Sequence, residues 1–215
     1  MKPIVRFIIL IAIWGSIILP SCTDLEENLF SSVTTANYEY TEENIMSVIG
    51  PVYENLHSLY SAHRQLPETQ LTTSDIVAQP ANASGWYDGG MYLRLAQHRW
   101  SSDQSHVSNL WSEFYSGVVE ANQIIKKVEE DVSFSEESQK QTIIAEVRTA
   151  RAFYYWLLMD NFGDVPIVTE VTEEYPAKKS RSEVYQFVVE ELTEVIPDLQ
   201  ESSGEDMHGR FNKWA

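Results

Sequence analysis

Four stretches of this sequence place apolar residues at steps of three and four, the spacing that gathers side chains on one face of an α-helix. The four stripes begin at Ile45, Val107, Ile144 and Tyr185. Strand-like alternation is scarce, and only Asp164–Glu170 looks extended. The pattern predicts a mainly all-α fold of amphipathic helix pairs, joined by long irregular loops.

Polar residues mark where several of these helices should begin. Thr41 is a candidate N-cap for the first helix. Ser133 with Glu136, and Ser180 with Glu183, have the spacing of a capping box, in which hydroxyl and carboxylate each accept a hydrogen bond from a backbone N–H group at the helix start. We therefore expect the third helix to begin at this first box and the fourth helix at the second.

Glycine and proline residues mark the ends and interruptions of the predicted helices. The third helix should end at Gly163, which suits a left-handed C-terminal cap, with Pro166 shortly beyond. Asp164, in the same turn, can accept hydrogen bonds from the turn backbone. The second helix should run from about Val107 to Glu129. Gly50-Pro51 interrupts the first stripe, which leaves one kinked helix or two short helices as alternatives.

Residues 61–105 show no sustained period and contain prolines and glycine-rich turns, which predicts a long loop. A loop of this length inside a compact domain is unusual unless it has a task. The loop contains four aromatic residues: Trp86, Tyr87, Tyr92 and Trp100.

The N-terminus has the layout of a secretory signal. Lys2 and Arg6 precede an apolar run from Phe7 to Leu19, and small Ser21 stands directly before Cys22. The run is too short to span the roughly 30 Å hydrocarbon core of a bilayer, which requires about 20 residues. Residues 1–21 are therefore predicted to be a signal peptide.

The only cysteine of the chain, Cys22, closes the sequence Leu19-Pro20-Ser21-Cys22, which resembles the bacterial lipobox. In that motif the cysteine is acylated and becomes the first residue after cleavage. A general secretory signal with an incidental cysteine and a membrane-spanning helix are the alternatives. Residues 22–40, which follow, are acidic and rich in polar residues, and this composition predicts a flexible tether.

The charge of the chain limits what it can bind. Acidic residues outnumber basic ones, and the formal net charge is −17 at pH 7. Such a surface repels nucleic acid and anionic lipid, so membrane contact is expected through acyl chains. The charge also argues against an anionic substrate and leaves a neutral ligand, a cation or a protein surface.

Residues 145–170, the third helix and its exit, resemble the signature of the SusD/RagB family of outer-membrane lipoproteins. The matching residues are Arg151-Ala152-Phe153-Tyr154 within the helix and Phe162-Gly163-Asp164-Val165-Pro166-Ile167 after it. Residues 111–125 and 180–199 resemble the preceding and following helices of the same family. Their order, behind a lipobox, makes the match specific.

The resemblance implies helix pairs like tetratricopeptide repeats. It also implies a surface lipoprotein that binds oligosaccharides, or in some members peptides, and delivers them to a TonB-dependent transporter of the SusC type. The family continues past Gly209-Arg210 into another helix, so we expect this chain to be truncated at its C-terminus. The expected organisation is a signal peptide at 1–21, a tether at 22–40 and a SusD-like helical domain at 41–215.

Ligand sites of this family combine aromatic faces with polar side chains on loops, a chemistry that suits sugars. The polar neighbours in the predicted loop include Asn82, Asp88 and Arg94. The ligand-binding candidates are Asp75, Trp86, Tyr87 and Tyr92. The alternative is that the aromatic residues, Trp100 in particular, cover the helical core and the polar groups cap turns.

Two features of the third helix are interpreted as structural. Consecutive helix positions point in different directions, so the aromatic run Phe153–Trp156 cannot form one stacking surface and should serve helix packing. Arg151 lies on an otherwise apolar stripe, and we expect its guanidinium to reach a carboxylate or helix-end carbonyls.

Support for catalysis is thin, and we expect a binding protein that is not an enzyme and uses no cofactor or metal. The five histidines form no His-Glu-x-x-His motif and no pair four residues apart. There is no Gly-x-Ser-x-Gly elbow, phosphate loop or dinucleotide fingerprint. Glycoside hydrolysis would require a carboxylate pair whose separation a sequence does not give. A helical scaffold that binds only protein is the other alternative.

Overall fold

The structure is a computed structural model that describes residues 40–61, 63, 65–80, 87–174, 176–201 and 209–214. All of them belong to the unit that begins at Glu39. The predicted signal peptide, the acylation candidate Cys22 and the binding candidate Trp86 lie outside the described residues.

The described residues form a mainly α-helical fold, as the sequence predicts. Its six α-helices within these ranges are α1 (Ile45–Ser61), α2 (Leu66–Thr73), α3 (Met91–Ala96), α4 (Ser105–Glu130), α5 (Glu137–Phe162) and α6 (Arg181–Val195). Short 3₁₀ turns at Glu42–Asn44 and Ile196–Asp198 precede α1 and follow α6. Two strands, β1 (Val165–Pro166) and β2 (Lys178–Lys179), pair antiparallel with Val165 opposite Lys179.

Of the two predicted capping boxes, one is confirmed. Ser180 Oγ accepts the backbone N–H of Glu183 at 3.3 Å, and the Glu183 carboxylate accepts that of Ser180 at 2.8 Å. The box at Ser133 is wrong, because α5 begins only at Glu137. The backbone of Ser133 instead pairs with the N-terminal stretch, where its N–H donates to the carbonyl of Tyr40 at 3.1 Å. A tertiary contact therefore occupies the residue that a local pattern assigned to a helix cap.

The loop predicted for residues 61–105 is interrupted by two short helices, α2 and α3. Their eight and six residues make at most about two turns, too few to show a helical period. Pro67, which we interpreted as a loop signal, lies in the first turn of α2, where proline is favourable. The Asp88 carboxylate supports the start of α3 by accepting two backbone N–H groups, from Gly90 at 2.9 Å and Tyr92 at 2.8 Å.

Pro51 does not divide the first helix, which is continuous from Ile45 to Ser61. The proline ring removes one backbone hydrogen bond. Pro51 lies on the exposed side of α1, so its ring does not disturb the packed face of the helix. Of the two alternatives, the single helix is therefore the observed one.

The core lies between α4 and α5, two 26-residue helices that run antiparallel, with α1 and α6 packed against them. Gly117 of α4 allows the closest approach. A Cβ atom at this position would lie 2.2 Å from Cζ of Tyr154 on α5. The Tyr154 phenol passes over the glycine and donates to the carbonyl of Val52 on α1 at 2.9 Å. The tyrosine therefore joins three helices through a space that only glycine leaves open.

Arg151 of α5 is buried and makes the carboxylate contact that we expected. Its guanidinium donates to Glu191 of α6 at 2.8 Å, to the side chain of Asn122 on α4 at 2.7 Å, and to the carbonyl of Thr169 at 3.0 Å. Arg148, one turn earlier, donates to both oxygens of Glu191 at 3.2 and 2.8 Å. Two arginines thus share one buried carboxylate.

The exit from α5 confirms one expectation and corrects another. Gly163 has the positive φ expected of it, 76°. Asp164 does not bind its own turn: its carboxylate accepts the backbone N–H of Arg181, the first residue of α6, at 2.9 Å. The turn therefore fixes the start of the next helix.

We predict that Gly117→Ala destabilises the chain by about 2 kcal/mol or more, because the added methyl group must displace the Tyr154 ring from a packed core. Thermal or denaturant unfolding measures the change. Ser116→Ala, at the neighbouring exposed position of α4, is the control and should alter the free energy of unfolding by no more than about 0.5 kcal/mol. Equal stabilities of the two variants would contradict the packing argument.

We predict that Glu191→Gln costs about 3 kcal/mol, since it leaves a buried guanidinium without its counter-charge. Glu194 contacts Arg148 from an exposed position, so Glu194→Gln is the matched control and should cost far less stability than Glu191→Gln. Urea unfolding at neutral pH compares the two. A cost at Glu194 equal to that at Glu191 would contradict the role of burial.

The ion pairs of Glu191 with Arg148 and Arg151 also predict that the stability of the fold depends on pH. Burial by itself would raise the pKa of Glu191, but hydrogen bonds and charge from Arg148 and Arg151 outweigh it and hold the pKa below its ordinary value of 4.5. A carboxyl whose folded pKa is lowered stabilises the fold above its unfolded pKa and loses this contribution as the pH falls through the folded pKa. The difference in stability between wild type and Glu191→Gln should therefore shrink below about pH 4.5, and a constant difference down to pH 2 would contradict it.

Candidate functional site

An open groove of about 530 Å³ lies along one side of α2. The end of α1, the side of α2 and the extended chain after α2 form its three walls. These walls carry Tyr60, His63, Glu68, Leu71, Val77 and Gln79.

The local sequence explains why a wall of extended chain follows α2. Ser74 ends the helix in an extended conformation, and its backbone N–H and its hydroxyl both donate to the carbonyl of Leu71, at 3.3 and 2.7 Å. The Ser74 hydroxyl also accepts the N–H of Ile76 at 3.3 Å. The chain is thereby turned away from the helix, and residues 75–80 are exposed along the groove.

The groove combines apolar surface with a few polar groups. Tyr60 is 51% exposed, and Leu71 and Val77 add aliphatic surface. The carboxylate of Glu68 and the exposed amide of Gln79 provide hydrogen-bonding groups. An aromatic ring beside carboxylate and amide groups is the chemistry that binds the C–H faces and hydroxyls of a sugar ring.

Glu68 is held in position by two neighbours. One carboxylate oxygen accepts a hydrogen bond from the Tyr92 phenol. The other lies 3.1 Å from Nδ1 of His63, which is exposed at the mouth of the groove. The carboxylate is therefore fixed at the groove by a phenol from the core side and an imidazole from the solvent side.

Tyr92 differs from the expectation for a sugar-stacking residue. The side chain is fully buried, and its ring meets His106 edge to face, with centroids 4.9 Å apart. A ring covered by protein cannot stack on a ligand, so the assignment of Tyr92 to direct stacking is corrected. The phenol acts on the groove only through its hydrogen bond to Glu68.

The other sequence candidates occupy different surroundings. Asp75 is exposed in the extended chain two residues before Val77, beside the groove. Tyr87 is 69% exposed and does not line the groove described above. Direct ligand contact by Asp75, Tyr87 or Trp86 remains a prediction.

The polar neighbours of these candidates act mainly on the backbone. Asp88 is occupied at the start of α3, and the hydrogen bond from the Tyr92 N–H is the main reason that the pKa of its carboxyl is lowered. Arg94 donates to the carbonyl of Gly89 at 3.0 Å. The alternative that polar groups cap turns therefore describes these two residues. Trp100, which that alternative placed in the core, is 45% exposed.

Sequence reasoning missed Tyr60 and Glu68. Tyr60 lies off the apolar stripe of α1, directly after its last member Leu59, and an aromatic residue outside a stripe is a signal that could have been noticed. Glu68 had no comparable signal. Its role depends on Tyr92, which is 24 positions later in the sequence.

Two features are absent from the described residues. Within those ranges, no group of three or more His, Cys, Asp or Glu side chains could hold a metal ion. Among the helices that the structure describes, none is long and apolar enough to cross a membrane.

Known proteins resemble this chain in sequence. The SusD-like family model, described as starch-binding and associating with the outer membrane, matches residues 39–215. A SusD-like protein of Bacteroides ovatus is 23% identical over 207 residues, which are 93% of this chain and 36% of the relative. SusD-like protein P2 of Formosa agariphila is 25% identical over 190 residues, 85% of this chain and 36% of the relative. The chain thus spans little more than a third of the length of these relatives.

A solved structure shares the fold. The structure titled a laminarin binding SusD-like protein superposes with a TM-score of 0.70 at 26% identity. The match covers 82% of this chain and 38% of the solved one. The helix pairs expected from the sequence are therefore those of a known architecture.

Proposed function

The chain belongs to the SusD-like family, and on that premise we propose that it is a cell-surface lipoprotein which binds oligosaccharides and delivers them to a SusC-like TonB-dependent transporter of the outer membrane. The relatives extend well beyond the region matched here, so this proposal concerns the function to which the chain contributes. The groove beside α2 is the observation on which the proposal rests.

Three properties of the groove support a sugar ligand. Tyr60 offers an exposed aromatic face, Glu68 offers a carboxylate fixed by two neighbours, and Gln79 offers an amide. Fixed acceptors reduce the ordering cost of binding a flexible, hydroxyl-rich ligand. The similar structure whose title describes laminarin binding makes a glycan the first ligand class to examine.

The electrostatics narrow the ligand class further. The net charge of −17 disfavours an anionic glycan, such as a uronic acid polymer, at any exposed site. Glu68 adds a local negative charge at the groove itself. We therefore propose neutral oligosaccharides as ligands and binding without catalysis, so that the purified protein releases no product from them.

We expect Tyr60→Ala to weaken the binding of a neutral oligosaccharide by about tenfold, equivalent to about 1.4 kcal/mol, because the stacking surface is removed. Calorimetry against hexasaccharides from starch, laminarin, xyloglucan and mannan provides the measurement. Tyr185→Ala is the matched control, since Tyr185 is 52% exposed on α6 and lies outside the groove. Its affinity should equal that of wild type.

Several outcomes would overturn this assignment. Equal loss in both tyrosine variants, or no loss in Tyr60→Ala, would contradict the groove as the site. If no glycan binds but peptides do, the assignment of a glycan ligand is contradicted, and a RagB-like peptide receptor is supported instead.

The proposed membrane attachment depends on Cys22, whose thiol is the only one in the chain. We expect cells that express the protein to incorporate labelled palmitate into it, and the Cys22→Ser variant to incorporate none. The variant should also leave the outer-membrane fraction, because its acyl anchor is missing. Equal labelling of both proteins would contradict acylation at this residue.

A further inference from the structure

A second cavity lies on the opposite side of α2 from the groove. It is a cleft of about 170 Å³, and Thr69, Gln70 and Thr73 line it, whereas Glu68, Leu71 and Thr72 of the same helix line the groove. The facing wall comes from Trp100 and the start of α4, and Asn161 and Phe162 close the end. We refer to this cavity as the Trp100 cleft.

Trp100 presents its ring to the cleft from a constrained backbone. The indole is 45% exposed, and His98 meets it edge to face with centroids 5.5 Å apart. His98 has a φ of 54°, a left-handed conformation that is strained for a non-glycine residue. Its Nε2 lies 2.8 Å from the carbonyl oxygen of Thr73, which ties the loop to the end of α2. The large indole is therefore held partly in solvent by a strained neighbour.

The polar groups of the cleft have unused hydrogen-bonding capacity. The side-chain nitrogen of Asn161 donates to the carbonyl of Leu157 at 2.9 Å, which leaves the amide oxygen as an acceptor. Gln70 adds an exposed amide.

The charge and the size of the cleft define the ligand class. Its lining residues are apolar, aromatic, amide or hydroxyl side chains, without a charged group among the described residues. The volume corresponds to about six water molecules at roughly 30 Å³ each, which is small for a drug-sized ligand but suits one sugar ring. An uncharged lining favours a neutral ring, whose hydroxyls would meet the amides of Gln70 and Asn161.

We propose that the Trp100 cleft is a second carbohydrate subsite, which binds one neutral pyranose ring against the indole of Trp100. This inference rests on the proposed function in taking a glycan as the ligand. It adds that α2 separates two binding cavities, a groove with a carboxylate and a cleft without one. The indole supplies the stacking face, while Gln70 and Asn161 supply the hydrogen bonds.

The test follows the indole N–H signal of Trp100 by NMR in the full chain labelled with ¹⁵N-tryptophan. The Trp100→Phe variant assigns the signal. The probes are glucose, galactose, mannose and xylose, followed by the four neutral hexasaccharides used for the groove. We expect the Trp100 signal to shift with at least one probe, and to shift equally in Tyr60→Ala, which leaves the cleft intact.

Calorimetry then compares variants matched in exposure. Trp100→Ala should weaken binding at the cleft by about tenfold, and Trp156→Ala should leave it unchanged, since Trp156 is 44% exposed on α5 away from the cleft. Gln70→Ala removes the exposed amide that α2 presents to the cleft. It should preserve the thermal stability, because the side chain is exposed, and weaken binding about threefold, so it tests the cleft even if Trp100→Ala does not fold.

The outcomes separate the two proposals. Binding that is lost in Tyr60→Ala, with a Trp100 signal unmoved by every probe, overturns the cleft and leaves the groove. A Trp100 shift that persists in Tyr60→Ala and is reduced in Gln70→Ala at the same ligand concentration supports the cleft whatever happens at the groove. Equal affinities of Trp100→Ala and Trp156→Ala would overturn the subsite.

Discussion

The buried guanidinium of Arg151 is the interaction on which the arrangement of the larger helices depends. It binds Glu191 of α6, Asn122 of α4 and the carbonyl of Thr169 after β1, so one side chain of α5 connects three other segments. A charge at this depth is tolerated only when it is paired and hydrogen-bonded, and the three segments must therefore be in place together. The guanidinium thereby ties the chain that leaves α5 back to the helix.

Most of the long helices could be predicted from the sequence, because the burial of one helix face places apolar residues at steps of three and four. The stripes of α4, α5 and α6, the capping box at Ser180 and the carboxylate partner of Arg151 all follow from local rules. The failure at Ser133 has a tertiary cause. Its backbone pairs with Tyr40, more than ninety positions earlier, and no local pattern reports such a pairing. Sequence reasoning therefore misses helix boundaries that are set by contacts with distant segments of the chain.

The candidate site was harder to predict than the fold, and for a related reason. Its central element, α2, has too few turns to carry a period, and its Pro67 suits a loop and a first helical turn equally well. Aromatic residues give no local sign of whether they will be exposed. Tyr92 and Trp100 are eight positions apart, yet the first is buried behind Glu68 and the second stands half in solvent. The aromatic content of residues 61–105 pointed to a segment that borders both cavities. Side-chain packing determines which of its rings are exposed.

The two cavities beside α2 differ in local charge, a difference that the net charge of the chain does not show. The groove contains Glu68, whose carboxylate is held between Tyr92 and His63, while the described lining of the Trp100 cleft is uncharged. A ligand at the groove therefore meets a local charge whose influence depends on ionic strength. A ligand at the cleft is bound by dispersion and neutral hydrogen bonds, which salt affects far less. Selectivity on the two sides of one short helix thus rests on different physical forces, although both sides present surfaces suited to sugar.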